Sequence, residues 1–400
     1  LQKLIQLALA NNRDLRLAAL NVERSRNLYG VQRAELMPAV SATGAGSRQH
    51  LPADLSMTGK EATSQQYSVN LGIVSWEIDL FGRLRGLKKK ALEEYLATEQ
   101  ARRGAETALI GEVAGVYFAL AADRENLKLV QATQASQEEV YGMIRKQYDN
   151  GVATEVDLSR SRTQVDVARG DIARYTQLVA QDQNALELLV GATIPDELLP
   201  SDLSSVTPPG DIATGMSSEV LLHRPDILAA EHQLKAAYAF IDIARTAFFP
   251  RISLTTTLGT ASQELSGLFK PDSDTWIFAP QLSVPIFDAR TWAAFRVSQA
   301  TRDIALAQYE KAVQIAFREV ADVLAVRGTV DQQVAAQESI VDSAQKVYEL
   351  SDQRYKQGLD GYLGVLDAQR SLYSAQQGLT ALRLARLTSR VRLFAVLGGE

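Results

Sequence analysis

Two hydrophobic periods alternate along this chain. From Val313 a three/four spacing runs through Ala316, Val320, Val323, Arg327, Val330, Val334, Gln337, Val341, Ala344 and Tyr348, and nine of these eleven positions are apolar or aromatic. A seam sustained this far predicts a coiled-coil helix, and no proline follows Pro285 to interrupt it. The pattern predicts one long helix at about 295–355 and a counterpart at about 91–148. Each should end at a glycine, Gly151 or Gly358, which suits the left-handed position just past a helix end. Return helices are expected at about 157–190 and 364–397, the first capped by Thr154 or Glu155. Shorter helices are expected at about 14–36 and 226–248. At 1.5 Å per residue the lengths are about 90, 50 and 35 Å, so one return helix stacked on one short helix matches one long helix, packed antiparallel.

The second period is two. Tyr67, Val69, Leu71 and Ile73 alternate with Ser68, Asn70, Gly72 and Val74. Ile252, Leu254, Thr256 and Leu258 alternate with Ser253, Thr255, Thr257 and Gly259, and Trp276, Phe278, Leu282 and Val284 share a parity. Strands are predicted at about 39–48, 66–77, 251–262 and 275–287, joined in pairs by loops at about 48–66 and 260–275 rich in Ser, Gly, Pro and Asp.

These elements occur twice. Asp14 and Pro38 match Asp226 and Pro250 at a separation of 212 positions. Glu112, Tyr141, Tyr148, Gly151, Ala168 and Gly191 match Glu319, Tyr348, Tyr355, Gly358, Ala375 and Gly398 at 207. A fixed separation over so many residues marks a tandem duplication. The expected organisation is a first repeat at 1–200, a connecting segment at 192–217 and a second repeat at 218–400.

Composition narrows the function. The 400 residues carry 42 Lys+Arg against 47 Asp+Glu, for a net charge of −5, which argues against a nucleic-acid binder. With no cysteine, thiolate metal sites and Cys nucleophiles are excluded, and three histidines (His50, His223, His232) make a metal centre a poor expectation. Walker A, GxSxG and HExxH motifs are absent, so neither enzyme chemistry nor a cofactor is expected. The longest apolar run, Ala108–Ala122, is interrupted by Glu112 and falls short of the roughly 18 residues of a spanning helix.

The strands admit two readings. One is a pair of hairpins packed on helices in a soluble coiled-coil scaffold. The other is a membrane β-barrel, favoured because the polar strand face is Ser, Thr, Asn, Gln and Gly rather than charged, and because Tyr67, Trp76, Phe248, Phe249 and Trp276 sit near strand ends as in an interfacial girdle. On that reading Tyr67, Val69, Leu71, Ile73, Ile252, Leu254, Leu258, Trp276, Phe278 and Leu282 face lipid. Four strands cannot close a barrel and open edges are not tolerated in lipid, so other copies must complete it.

The duplication, HRPD at 223–226, WEIDLFGR at 76–83, VPIFDAR at 284–290, the paired YDNG and YKQG turns, and the tract GYLGVLDAQRSLYSAQQ at 361–377 together resemble the TolC-type outer-membrane channels, nearest their OprM-like multidrug efflux branch. The resemblance covers essentially the whole chain. It implies a homotrimer in the outer membrane of a Gram-negative bacterium, each protomer giving four strands to one 12-stranded barrel and its helices to a long periplasmic α-barrel. The segment from about 192 to 217, joined by residues 1–12, would form part of an equatorial belt. The implied partners are a periplasmic adaptor, a proton-driven inner-membrane transporter and outer-membrane lipid. Members of this lipoprotein branch usually begin with a secretory signal and a lipid-bearing cysteine; this chain starts in the middle of that scheme without a cysteine, so a truncated or partly ordered mature protein is expected and lipidation is not read from it.

The resemblance places a periplasmic gate at the helix turns, with candidates Asp157, Arg160, Tyr355, Leu363, Asp367 and Arg370. By threefold symmetry Asp367 would give a carboxylate ring that attracts cations, and Leu363 an apolar constriction. The plainer alternative is that Asp and Arg near helix starts serve capping and surface pairs. The turns Gly151, Val152, Ala153, Thr154 and Gly358, Leu359, Asp360, Gly361 are the expected adaptor contacts. The expected function is a passive exit duct for drugs or other small toxic compounds, with protein secretion or metal-ion export as the alternative cargo.

Overall fold

The computed structural model describes residues 1–57, 59–207 and 218–399. The elements are α1 (Gln2–Asn11), α2 (Arg13–Ala34), β1 (Val40–Leu51), β2 (Ala62–Glu77), α3 (Arg83–Asp149), α4 (Glu155–Val190), α5 (Pro225–Thr246), β3 (Arg251–Ser262), β4 (Asp274–Ser283), α6 (Ala289–Lys356) and α7 (Tyr362–Val396). Short 3-10 turns lie at Asp196–Leu198, Leu203–Ser205, Ser218–His223 and Leu265–Gly267. The expected connecting segment is described to Thr207; its part from 208 to 217 lies outside the described residues.

Several boundaries depart from the sequence reading for local reasons. The long helices start at Arg83 and Ala289, several residues before the expected 91 and 295. In each case an aspartate ahead of the helix accepts a backbone N–H of the first turn: Arg85 N donates to Asp79 Oδ2 and Arg290 N to Asp288 Oδ1, both at 2.9 Å. These aspartates belong to the WEIDLFGR and VPIFDAR motifs. Strand β4 stops at Ser283 rather than 287, because Pro285 has no N–H to donate to a ladder. The first hairpin pairs further than expected, to Leu51 opposite Ala62.

The chain divides into two compact units, and both take residues from both repeats. One unit comprises residues 1–20, 100–228 and 311–400. Its largest core joins Leu4 and Ala8 of α1, Leu109, Val113, Phe118 and Leu120 of α3, Leu186 and Val190 of α4, Ile194, Leu203 and Val206 of the following segment, and Leu387 and Val391 of α7. Helix α3 contains one 18-residue window apolar enough, by length and composition, to cross a membrane. The α3 residues in this core account for much of its apolar character without a bilayer. Fully buried side chains such as Phe118 and Leu186 each contribute roughly 1.5–3 kcal/mol of burial free energy.

The other unit comprises residues 21–99 and 229–310. It holds one antiparallel sheet in the order β1-β2-β3-β4. The register pairs Ala42 with Leu71 and Leu71 with Leu258, then Leu258 with Trp276. Cross-strand partners share a face, so an apolar row crosses the whole sheet. Between Ile73 and Trp76 strand β2 carries a β-bulge, with Ser75 at φ 56°. The bulge brings Trp76 opposite Leu254, onto the apolar face that strict alternation would have denied it. Strands β2 and β3 approach closely: a Cβ at Gly72 would lie 2.2 Å from the Thr256 carbonyl oxygen, and one at Gly259 2.2 Å from that of Val69. Near the strand–helix junctions Phe81 stacks on Phe249 at 5.0 Å, and Phe248 meets Trp292 edge-on at 4.9 Å.

Candidate functional site

The two helix turns are built alike. Gly151 and Gly358 both adopt φ 74°, open only to glycine at low cost. Gly151 N–H bonds to the Tyr148 carbonyl and Val152 N–H to that of Gln147; Gly358 and Leu359 repeat the pattern on Tyr355 and Arg354. Both are Schellman turns, which satisfy the last carbonyls of α3 and α6. They leave Val152 and Leu359 as exposed apolar side chains at the apices, 77% and 61% accessible.

The helices that leave these turns start differently. Helix α4 begins with a capping box: Asp157 N–H donates to Thr154 Oγ1 at 3.2 Å, while the Asp157 carboxylate accepts from Thr154 N–H. Helix α7 begins at Gly361 with no side-chain cap. In its place Arg354 forks onto Asp360 across the second turn, Nε to Oδ2 at 2.5 Å and Nη2 to Oδ1 at 3.1 Å. The Arg354 hydrogen bond holds the Asp360 carboxyl below the usual range.

Behind the turns both repeats contribute to one apolar cluster. Ile144, Tyr362, Val365 and Leu366 are buried there, with Ala153, Leu158, Tyr348 and Tyr355 packed against them. Tyr355 donates to Gln147 Oε1 at 3.2 Å and its ring lies 5.4 Å from that of Tyr362. Among the described residues the Tyr362 hydroxyl is buried without a hydrogen-bond partner, and burial together with Tyr355, Tyr348 and Asp352 pushes its pKa up, so it stays neutral. Further along, Gln137 on α3 donates to Gln369 at 2.6 Å and Arg370 Nε donates to Gln164 at 3.1 Å, tying α7 to α3 and α4.

Of the six gate candidates, Tyr355 and Arg370 are thus bonded across helices and Asp157 serves a helix cap. Arg160, Leu363 and Asp367 are exposed. Leu363 and Asp367 stand four residues apart on one face of α7. Sequence reasoning missed Tyr362, Arg354, Gln164 and a carboxylate pair between α3 and α4. Burial and the neighbouring Asp123 raise the pKa of Asp182 to about 6.

The HRPD motif, read from the sequence only as a mark of resemblance, has a structural role. The Arg224 side chain is 8% exposed and its guanidinium reaches three acceptors: Asp226 through Nε (3.0 Å) and Nη2 (2.7 Å), Glu319 through Nη2 (2.8 Å) and the Val396 carbonyl through Nη1 (2.8 Å). In the first repeat buried Asn12 donates to the Leu189 carbonyl at 2.9 Å, the matching place at the end of α4. The duplication therefore keeps the clamp on the return helix while changing its chemistry.

The sheet places all ten expected lipid-facing residues on one face. Leu71, Leu258, Trp276, Phe278 and Leu282 are each more than half exposed. Strands β1 and β4 each pair on one side only among the described residues.

The model of the outer membrane efflux protein family matches residues 4–192 and 216–399. The solvent efflux pump outer membrane protein SrpC of Pseudomonas putida is 48% identical over 400 residues, covering 100% of this chain and 85% of SrpC. A crystal structure of a membrane protein from Pseudomonas aeruginosa superposes with a TM-score of 0.93 at 39% identity, over 100% of this chain and 90% of that one. The open state of the Neisseria gonorrhoeae MtrE outer membrane channel gives 0.89 at 38% identity, over 100% and 88%. The likeness runs through both repeats, the turns and the sheet together, and the chain belongs to the outer membrane efflux protein family.

Proposed function

We propose that three copies of this chain close one barrel in the outer membrane and form the passive exit duct of a tripartite pump, working by transport rather than catalysis. The observation that carries this reading is the sheet: among the described residues it has four strands, two unpaired edges and an exposed apolar face. In lipid each open edge demands a partner strand, and three copies of a four-stranded sheet supply twelve strands around a wet lumen. The duct conducts down a gradient, and an inner-membrane transporter supplies the energy through a periplasmic adaptor. The relative SrpC is named for solvent efflux, which supports small toxic compounds as the cargo of this chain too.

The helix turns form the periplasmic end. Val152 and Leu359 are the apolar contacts for the adaptor, and Leu363 with Asp367 narrows and charges the opening, held shut by the Tyr355–Gln147 and Arg370–Gln164 bonds. Reconstituted in a planar bilayer, the detergent-purified chain is expected to conduct, and Asp367→Ala to raise conductance while lowering cation preference. A chain that stays monomeric and soluble without detergent would overturn the duct. Unchanged conductance and selectivity in the variant would remove Asp367 from the gate.

A further inference from the structure

The motifs WEIDLFGR and VPIFDAR lie where strands hand over to the long helices. All four strand–helix junctions sit at one end of the sheet: β1 and β3 start there, and β2 and β4 finish there. Each carries an exposed apolar side chain. Met37 precedes β1 and Phe249 precedes β3; Phe81 follows β2, and Ile286 and Phe287 follow β4, 91% and 86% accessible. Trp292, one turn into α6, is exposed as well, its ring edge-on to Phe248. An apolar and aromatic fringe that continues past the last ladder bond suits the level where acyl chains give way to headgroups.

Positive charge gathers at the same end. The four junction stretches, 30–38, 77–90, 242–251 and 284–296, hold ten Lys and Arg against five Asp and Glu, in a chain whose net charge is −5. The loops at the opposite end, 48–66 and 260–275, hold three against five. Four of the five junction acids already face a base: Glu77 meets Arg83, Asp79 meets Arg85, Asp242 meets Arg245 and Asp288 meets Arg290. The fifth, Glu35, accepts from Gln32, and Lys90 is held by Glu94. Arg251 lies on the polar face of β3 by register. Arg33, Lys88, Lys89 and Arg296 stand on the helices, within two turns of the sheet, with no ion pair among the described residues; Arg33, Lys89 and Arg296 are exposed.

A fringe of aromatics backed by unpaired bases suits a phosphate-bearing surface. The rings enter the headgroup layer, and the long Lys and Arg side chains reach the phosphates. The loop end, with more acids than bases, offers anionic lipid no such welcome. We propose that the helix end of the sheet is a collar that binds anionic phospholipid in the periplasmic leaflet, with Arg33, Lys88, Lys89 and Arg296 taking the headgroup phosphates. This rests on the barrel reading above and names the lipid class that the inner rim selects. In an assembly of three copies the four bases recur around one ring, so the local surface is enriched in charged lipid over the bulk bilayer.

The tryptophans allow the test to be read by position. Trp292 lies in the collar, and Trp276 lies near the loop end, opposite Leu258. Two variants each keep one of them: Trp76→Phe with Trp276→Phe, and Trp76→Phe with Trp292→Phe. Both are reconstituted as the full chain in phosphatidylcholine vesicles. Part of the lipid is replaced by brominated phosphatidylglycerol or, separately, by brominated phosphatidylcholine, each of which quenches indole fluorescence on contact. At equal mole fraction and low salt, the charged lipid is expected to show about twofold or greater local enrichment at Trp292 and none at Trp276, falling at moderate salt. Combining Arg33→Gln, Lys88→Gln, Lys89→Gln and Arg296→Gln should abolish the difference. Equal quenching of Trp292 by both lipids, equal enrichment at both tryptophans, or an excess that survives the combined variant overturns the collar while leaving the barrel intact. If neither lipid quenches either tryptophan, the lipid contact itself fails, and with it the barrel reading.

Discussion

Replacing Arg224 with Met removes the clamp but keeps most of the buried aliphatic stem. The structure allows the cost to be built up. Asp226 and Glu319 keep 47% and 36% of their side-chain exposure, so water takes over part of each lost ion pair, leaving about 0.5–1 kcal/mol apiece. The Val396 carbonyl loses its charged donor at the end of α7, which costs about 1–2 kcal/mol. The sum is roughly 2–4 kcal/mol. Arg224→Lys keeps the charge but not the planar fork, and one ammonium cannot reach three acceptors spread around a guanidinium, so about half the loss is expected. Urea unfolding in detergent micelles, followed by circular dichroism at 222 nm, reads the helices that the clamp serves. The three tryptophans, Trp76, Trp276 and Trp292, all lie in the sheet-bearing unit, so their fluorescence reports the sheet separately. The helical midpoint should fall at unchanged slope in Arg224→Met. A shift worth less than about 1 kcal/mol, or a Lys variant as stable as the native chain, would refute the clamp.

Thr154→Ala removes the capping box of α4 and should cost about 1 kcal/mol, with faster amide exchange confined to the first turn of that helix; unchanged exchange there would mean that the box does not hold the turn. Tyr362→Phe deletes a buried hydroxyl that has no partner, so it should raise the unfolding midpoint by about 1 kcal/mol; a lower midpoint would show that the hydroxyl is bonded in the assembly. Asp182 binds its proton more tightly in the folded chain, near pH 6 against 3.8, so the unfolded chain holds fewer protons across that window. Its contribution is therefore full below about pH 4 and lost as pH rises through about 6. Asp182→Asn should flatten this slope in midpoints measured from pH 4 to 7, and a slope as steep as the native one would assign it to other groups.

The long seams, the two turn glycines and the alternating strands were readable because each rests on a local period or on one backbone preference. The duplication made them firmer, since Gly151 and Gly358 could be checked against each other within the sequence. Partner-dependent features were less readable. Arg224 reaches Glu319 and Val396 from 95 and 172 positions away, and no spacing rule connects such residues. Asp157 showed the opposite difficulty: its place three residues after Thr154 is a capping signature, yet its nearness to the turn also suited a gate. Arg354 and Asp360 straddle a glycine turn, so their pairing could have been suspected from the six-residue interval alone. Gln137, Gln164 and Gln369 sit on helix faces that look merely polar in sequence, and only packing shows them to be buried.

The single extra residue near Ser75 makes strand β2 sensitive to length as well as to composition. Were Val74 and Ser75 both held in a regular ladder, strict alternation would carry Trp76 to the polar face and Glu77 to the apolar one, taking the carboxylate from Arg83. Deleting Val74 or Ser75 would remove the bulge yet leave Trp76 opposite Leu254 and Glu77 opposite Ser253, so both side chains keep their faces. Deleting both residues would instead set Trp76 directly after Ile73, opposite Thr255, and Glu77 opposite Leu254, inverting both, so one-residue and two-residue deletions at this junction ought to have opposite fates.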